Sequence, residues 1–344
     1  MNYIPLIRAN ILTEFVKFLE ENGAPVQRLL AAAKLPPLVL RDPEALFPLK
    51  QVFKFYEQSA QIEEYTSLGF LVGQKIQIKS LGAFGRLLYH SLTLHDAIQT
   101  AIYMIATYNS GDRIWLIEQD DQVWLCRKFI DEMDVGRQQA DQCFVMIMIH
   151  LVQLAAGSVW KPTEIHLETA KLTELNQFAE LFDINILFEQ KETAIRFPRS
   201  FLSLPLQNLD EYHDAQRYDA QRYKDYETLL SSAPATTFPG SIRQIIALQL
   251  REGYPDIQLV AEIIGVSVRT LQRHLNETNL TYSRLIDQVR FDRSVRLLSD
   301  PNIKLADVAV ELGYSNAANF TRAFRRWSNI SPSSFRNLKM NSMK

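Results

Sequence analysis

Val260-Ala261-Glu-Ile-Ile264-Gly265-Val266-Ser267, three residues, then Leu271-Gln-Arg273-His-Leu275 decides the reading, because the pattern occurs twice. The second copy is Val308-Ala309-Val-Glu-Leu312-Gly313-Tyr314-Ser315-Asn316, three residues, then Phe320-Thr-Arg322-Ala-Phe324. Ala261 and Gly265 recur 48 residues on, Leu271 and Arg273 recur 49 on, so the second turn is one residue longer. Each copy spells helix, tight turn, helix. Val260 and Ile264 lie i,i+4 on one face, and Leu271 and Leu275 do the same on the next helix. Ala261 is small enough for the second helix to cross closely. Gly265 stands where the first helix must end at positive φ, and Ser267 is a good N-cap. Val308, Leu312, Phe320, Phe324, Ala309, Gly313 and Asn316 take the same roles in the second copy.

A helix-turn-helix projects the exposed face of its second helix into a DNA major groove. With the buried leucines removed, the first such face offers Arg269, Thr270, Gln272, Arg273 and Asn276. Arginine pairs bidentately with guanine and glutamine with adenine, so this face can read bases. The second offers Asn316, Ala317, Ala318, Asn319 and Arg322, whose alanine methyls suit thymine methyls. Phosphate contacts are expected from Ser267, Arg290, Thr321, Arg325 and Arg326. One such pair of helices is also what a plain αα-hairpin looks like. Two copies with equivalent arginines favour DNA.

Charge points the same way. From Gly240 on there are 15 Lys+Arg against 9 Asp+Glu; the residues before it carry 22 against 30, which together make the overall −2. A basic end on an acidic body suits a polyanion-binding tail. Between the two copies, Thr281 to Ser299 reads as a helix with Tyr282, Leu285, Val289 and Leu297–Leu298 apolar. It carries Arg284, Arg290, Arg293 and Arg296, which could equally form a solvated face paired to Asp287 and Asp292. Two readers on one side of a duplex must sit about 34 Å apart, one helical turn.

These residues resemble the C-terminal domain of AraC/XylS-type bacterial transcription regulators. The matching segments are Val260 to Arg273, Val289-Arg-Phe-Asp-Arg-Ser-Val-Arg-Leu-Leu298, Asp307 to Trp327, and Ser331-Pro-Ser-Ser-Phe-Arg336, within about residues 240–338. The resemblance implies seven helices, two helix-turn-helix units joined by a long helix, and binding of one monomer to successive major-groove segments. It also implies RNA polymerase as a partner. Carried over by motif position, the base readers are Arg269, Gln272 and Arg273, then Ala317, Ala318, Asn319 and Arg322. Lys304 stands where the pattern favours a Ser or Thr cap, with Asp307 partly complementing the helix dipole. Asn329 replaces a usual glycine, and asparagine tolerates the left-handed region.

At 344 residues with 47% apolar and 22% charged content, the chain has the composition of a soluble two-domain protein. Cys126 and Cys143 are too few for a disulfide scaffold or a cysteine zinc cluster and suit a reducing cytosol, so a cytoplasmic location is expected. The start of the chain lacks the basic-then-apolar order of a signal peptide. Phe144 to Trp160 is apolar but short and is interrupted by His150 and Gln153, so a buried helix is expected and no membrane. Helical patterning marks Ile11–Leu19, Val52–Ala60 and Leu94–Tyr108. Arg113–Ile117 and Val123–Phe129 alternate around Gln119–Gln122 as a hairpin. Gly136 to Gly157 is a long helix. Thr163–Leu167, Ile184–Phe188 and Ala194–Phe197 read as short strands and Leu172–Phe182 as a helix. The fold class is therefore two-domain: a helix-rich α+β regulatory domain over 1–200 and an all-α double helix-turn-helix domain over 241–340. Residues 201–240 would be a connector helix, carrying the near-duplication Ala215-Gln-Arg-Tyr-Asp and Ala220-Gln-Arg-Tyr-Lys, followed by the linker Ser231–Gly240.

The first 200 residues resemble the subgroup with an arabinose-binding-type domain, through Gly82-Ala-Phe-Gly85-Arg-Leu-Leu, Thr93-Leu-His-Asp-Ala-Ile and the hairpin after Tyr108. A sensory domain needs a mostly apolar pocket with a few polar anchors. Tyr103, Trp115, Trp124, Arg127 and His150 are the candidates for a small-molecule effector. Trp115 and Trp124 would also serve as sheet core, and His150 as a satisfied core histidine. Homodimerisation through this domain or residues 208–230 is an equal option, as is a ligand-independent regulator whose first domain makes only protein contacts. No Gly-rich phosphate loop, HExxH pair or nucleophile elbow supports an enzyme, and no cofactor or metal is implied. DNA-repair methyltransferases sharing the helix pair would need reactive, metal-bound cysteines. A tail that binds protein instead of DNA would show weak salt dependence.

Overall fold

The computed structural model describes residues 2–62, 67–130, 135–170, 184–207, 215–250 and 253–342. The chain folds as two compact units, Pro5–Pro234 and Ala235–Lys344, the latter joined by Met1–Ile4.

In the first unit, β1 (Leu6–Arg8) and β2 (Leu46–Pro48) form a two-stranded antiparallel ribbon. Around it lie α1 (Asn10–Glu21), α2 (Val26–Ala32), α3 (Leu49–Ile62), α4 (Leu68–Lys75) and α5 (Gly82–Tyr89). Next, α6 (Leu94–Tyr108) begins at a capping box in which Thr93 Oγ1 accepts the Asp96 amide and the Asp96 carboxylate accepts the Thr93 amide, both at 3.2 Å. The hairpin pairs β3 (Asp112–Gln119) with β4 (Gln122–Phe129), Gln119 opposite Gln122, so the loop is only Asp120–Asp121. Asp120 takes the positive φ of 55° that such a tight loop needs.

The long helix α7 (Arg137–Ala156) runs between Gly136 and Gly157, both at positive φ. It is long and apolar enough to cross a membrane, but 67% of that stretch is buried in the unit, where it serves as a core helix. Its closest neighbour is α4. A Cβ on Gly69 would lie 2.1 Å from the Gln139 carbonyl oxygen, so these two helices can approach only through glycine.

The remaining strands are β5 (Glu164–His166), β6 (Asn185–Leu187) and β7 (Thr193–Pro198), in the sheet order β3-β4-β7-β5-β6. β7 therefore pairs with β4 and β5, while β6 runs parallel to β5 at the edge. The helix expected over Leu172–Phe182 lies outside the described residues.

Helix α8 (Ala215–Ser231), expected as a connector, is part of the first unit. Its Asp225, 1% exposed, receives the Arg86 guanidinium of α5 at 2.6 Å. The linker is shorter than expected. Thr237 caps α9 (Phe238–Gln249) by accepting the Gly240 amide, and Pro239 sits in the first turn where a missing N–H costs nothing.

The second unit continues with α10 (Ile257–Ile264), α11 (Val268–Asn276), α12 (Tyr282–Leu298), α13 (Leu305–Glu311), α14 (Ala317–Ser328) and α15 (Pro332–Ser342). With α9 these make, among the described residues, the seven helices that the resemblance implied. Leu298, Val308, Ala309, Leu312, Phe320 and Phe324 form one buried cluster, and α12 packs on both α9 and the α13–α15 group. A long central helix thus joins two helix-turn-helix units.

Candidate nucleic-acid interface

The first unit of the pair is built by its caps. Asp256 accepts the Leu259 amide at 2.9 Å to start α10, and Gly265 ends it at φ 72°, ψ 36°. Ser267 Oγ then accepts the Thr270 amide at 3.1 Å to start α11. Val260, Ala261, Ile264, Leu271 and Leu275 are all buried between the helices. Burying one side of α11 leaves Arg269, Gln272, Arg273 and Asn276 exposed, while Thr270 is half-buried with its hydroxyl 2.9 Å from that of Ser267. Arg273 has a loose, exposed partner in Glu277, 3.9 Å away just past the end of α11.

The second unit repeats this construction. Lys304 starts α13 without a side-chain cap, and Asp307 sits in its first turn. Gly313 turns the chain at φ 71°, where a Cβ would also approach the Gly253 backbone at 3.3 Å. Asn316 Oδ1 accepts the Asn319 amide at 2.9 Å to start α14. Asn329 ends α14 at φ 62°, so the turn that usually takes glycine is intact.

The exposed face of α14 is more engaged than that of α11. Asn316 is exposed but occupied as a cap. Asn319 donates to Ser315 Oγ at 3.1 Å and accepts from Arg322. Ala318 is exposed, whereas Ala317 is half-buried against the hydrophobic cluster, and Thr321 is half-buried. Arg325 and Arg326 are exposed, with Arg326 donating to Asp287 of α12 at 2.9 Å.

Arg290 corrects the sequence reading. Expected on a phosphate, it is 7% exposed, donates to the Leu312 and Gly313 carbonyls at 3.0 and 3.2 Å, and lies 4.3 Å from the Tyr314 ring centroid. These are the last carbonyls of the α13 turn, so Arg290 closes the second helix-turn-helix against α12 and does not face outward. Arg293 is likewise drawn in, to the Ala247 carbonyl at 3.0 Å and Glu311 at 2.7 Å. Arg284 and Arg296 remain exposed.

The five effector candidates of the first unit are not brought together. Tyr103 is 79% exposed on an open groove with Arg222 and Tyr226. Trp115 is half-buried opposite Cys126 in the hairpin, and Trp124 is half-buried against His166 with ring centroids 4.3 Å apart. The buried apolar residues of the hairpin are Ile114, Val123, Leu125, Cys126 and Phe129 instead. His150 places Nδ1 2.8 Å from the Ile76 carbonyl, and burial lowers its pKa.

Arg127 alone of the five lines a largely apolar cavity. It is fully buried between Asp112 and Asp141, at 2.9 and 3.0 Å. Burial pushes Asp141 up to about 7 against the pull of Arg127 and Arg137. Sequence reasoning missed Tyr108, Asn109, Asp112 and Asp141 around it. The available signal was Asp141, an aspartate just ahead of the apolar run of a core helix, which has to find a cation. Burial pushes both cysteine thiols up to about 12, the opposite of a reactive thiolate.

Comparison with known proteins agrees with this architecture. The family described as the arabinose-binding domain of AraC transcription regulators, N-terminal, matches residues 23–206, and a helix-turn-helix domain family matches residues 260–338. The chain is 24% identical over 337 residues to the ornithine utilization regulator of Pseudomonas aeruginosa, covering 97% of this chain and 96% of that one. It is 35% identical over 101 residues to the regulator VqsM of the same bacterium, covering 28% of this chain and 31% of VqsM. Among solved structures, the transcriptional regulator CdpR from Pseudomonas aeruginosa aligns with a TM-score of 0.42 and 21% identity, over 91% of this chain and 96% of its own. The family match spans more than half of the sequence and its partner match falls on the paired helices, and so the chain belongs to the AraC family of DNA-binding transcription regulators.

Proposed function

We propose that the second unit reads double-stranded DNA with α11 and α14 in successive major-groove segments. Arg269, Gln272 and Arg273 face bases in the first segment, and Ala318, Asn319 and Arg322 in the second. Ser267, Thr321, Arg325 and Arg326 face the phosphates. The observation that carries this reading is the division of α11, with Leu271 and Leu275 buried on one side and four exposed side chains able to pair with bases on the other. Because Asn319 and Arg322 already bond to each other, α11 is the more base-specific reader. The first unit binds a small molecule and biases occupancy of the DNA site, which requires that the molecule favour one state of the chain over another.

The test starts from the DNA that co-purifies with the full chain, sequenced to define a duplex. Arg273→Ala should then weaken the specific duplex by about 1–3 kcal/mol, roughly 5- to 150-fold, and random duplex hardly at all. Equal losses on both would move Arg273 from bases to phosphate. Affinity should fall with salt by a power of about 0.9 for each phosphate neutralised. A flat salt response would remove the polyanion reading altogether.

A further inference from the structure

Within the first unit, β1, α1, α3, α5, α6, β3, β4 and α7 line a partly open cavity that leaves ≈ 50 Å³ to the centre of a water-sized sphere. One water needs only about 10–15 Å³ by that measure, so there is room for several waters or one molecule of about phenol size. Phe53, Phe84, Phe144, Ile7, Ile105 and Ile147 are among the apolar side chains of the wall. Tyr108, Asn109, Asp112 and Arg127 supply a polar corner.

Three of those four polar groups are already satisfied. Arg127 donates from Nε and one terminal nitrogen to Asp112 and from the other to Asp141, and the Phe129 and Phe144 rings lie 3.6 and 4.2 Å from its guanidinium carbon. Asp112 accepts from Arg127 and from Asn109 Nδ2 at 2.8 Å. Asn109 Oδ1 accepts the Gly111 amide at 3.0 Å. Tyr108 is different. The residue is 6% exposed, its hydroxyl is buried, and that hydroxyl has no hydrogen-bond partner among the described residues. Buried polar groups are rarely left so, and an orphan of this kind in a cavity wall marks where a partner belongs.

We propose that this cavity is the effector site, and that its ligand is a small, neutral, largely apolar molecule with one group that hydrogen-bonds to the Tyr108 hydroxyl. The proposal rests on the reading of the first unit as a sensor. A carboxylate ligand would find no free cation, because Arg127 is held by two aspartates. A polyol would bury several hydroxyls against one waiting partner, each unpaired hydroxyl costing about 1–3 kcal/mol. The chemistry of this wall is therefore not that of a sugar, despite the name the domain family carries.

Phenol, toluene, benzoate and L-arabinose are suitable probes, titrated into the full chain with the unfolding midpoint and calorimetric heat as readouts. Phenol and toluene should raise the midpoint saturably, while benzoate and arabinose leave it unchanged. Tyr108→Phe should weaken phenol about fivefold, the equivalent of one hydrogen bond, and leave toluene within twofold. Ala140→Leu, which fills the cavity from α7, should abolish both. No saturable response to phenol or toluene, or a Tyr108→Phe chain that binds phenol as before, would overturn the proposal. Either failure leaves the duplex titration intact. Phenol that binds as expected without altering duplex affinity would support the site and count against sensing.

Discussion

Arg290 sits in a helix whose other arginines look the same in sequence, yet it does different work. Ile286, Arg290, Ser294 and Leu298 form an i,i+4 row, and all four are buried. Spacing alone could have placed Arg290 on the inner face. What overrode it was residue type, since arginine in a basic domain is read first as a phosphate ligand. Its two carbonyl partners explain why the position tolerates the charge, because each donor meets an acceptor that the end of α13 leaves open. Arg290→Met keeps the aliphatic stem and removes both bonds. It should lower the stability of the second unit by about 2–3 kcal/mol, measured by urea unfolding, and leave the salt slope of duplex binding unchanged. A slope reduced by about 0.9 at unchanged stability would return Arg290 to the phosphate.

Elements with local signals were legible in the sequence; elements joined by distant contacts were not. The capping box of α6, the alternation of the hairpin and the glycines bounding α7 all act within a few residues, and the expected elements match β3, β4, α6 and α7 closely. The β1–β2 ribbon and the placement of α8 depend on partners far along the chain. Arg8, with no exposed surface, donates to Thr107, Glu44, Leu229 and Ser232. Glu44 also accepts the Ala83 amide at the start of α5 at 2.8 Å, and Arg86 near the end of α5 holds Asp225. A ring of bonds thus runs from β1 through Glu44 and α5 to α8 and back to Arg8, and Phe84 of α5 lines the proposed effector cavity. A ligand that shifts Phe84 would therefore act on α8, the last helix before the second unit. Arg86→Met leaves Asp225 buried with only Gln221 at 3.2 Å among the described residues, and should cost about 2 kcal/mol because Arg86 itself is partly exposed. Hydrogen exchange over 215–231 should rise with it, and an unchanged exchange rate there would show that α8 is held by apolar packing alone.

For the whole molecule the decisive quantity is charge. The second unit carries the positive excess and the first the negative, so in one chain the acidic unit opposes the approach of DNA to the basic one. The isolated 235–344 segment should fold, since it has its own core in each helix-turn-helix. It should bind random duplex more tightly than the full chain at low salt, and the gap should close as ionic strength shortens the Debye length toward a few Å. The segment should also unfold at about 2 kcal/mol lower stability than the same unit within the full chain. Ile4, buried with that unit, and its amide bond to Ser241 Oγ at 3.0 Å are lost on truncation. Ile4→Ala in the full chain should reproduce most of this loss without touching the charge, which separates the two effects. A segment that folds but binds no duplex at any salt would mean that the exposed faces of α11 and α14 are not sufficient readers, and that the first unit takes part in the DNA contact itself.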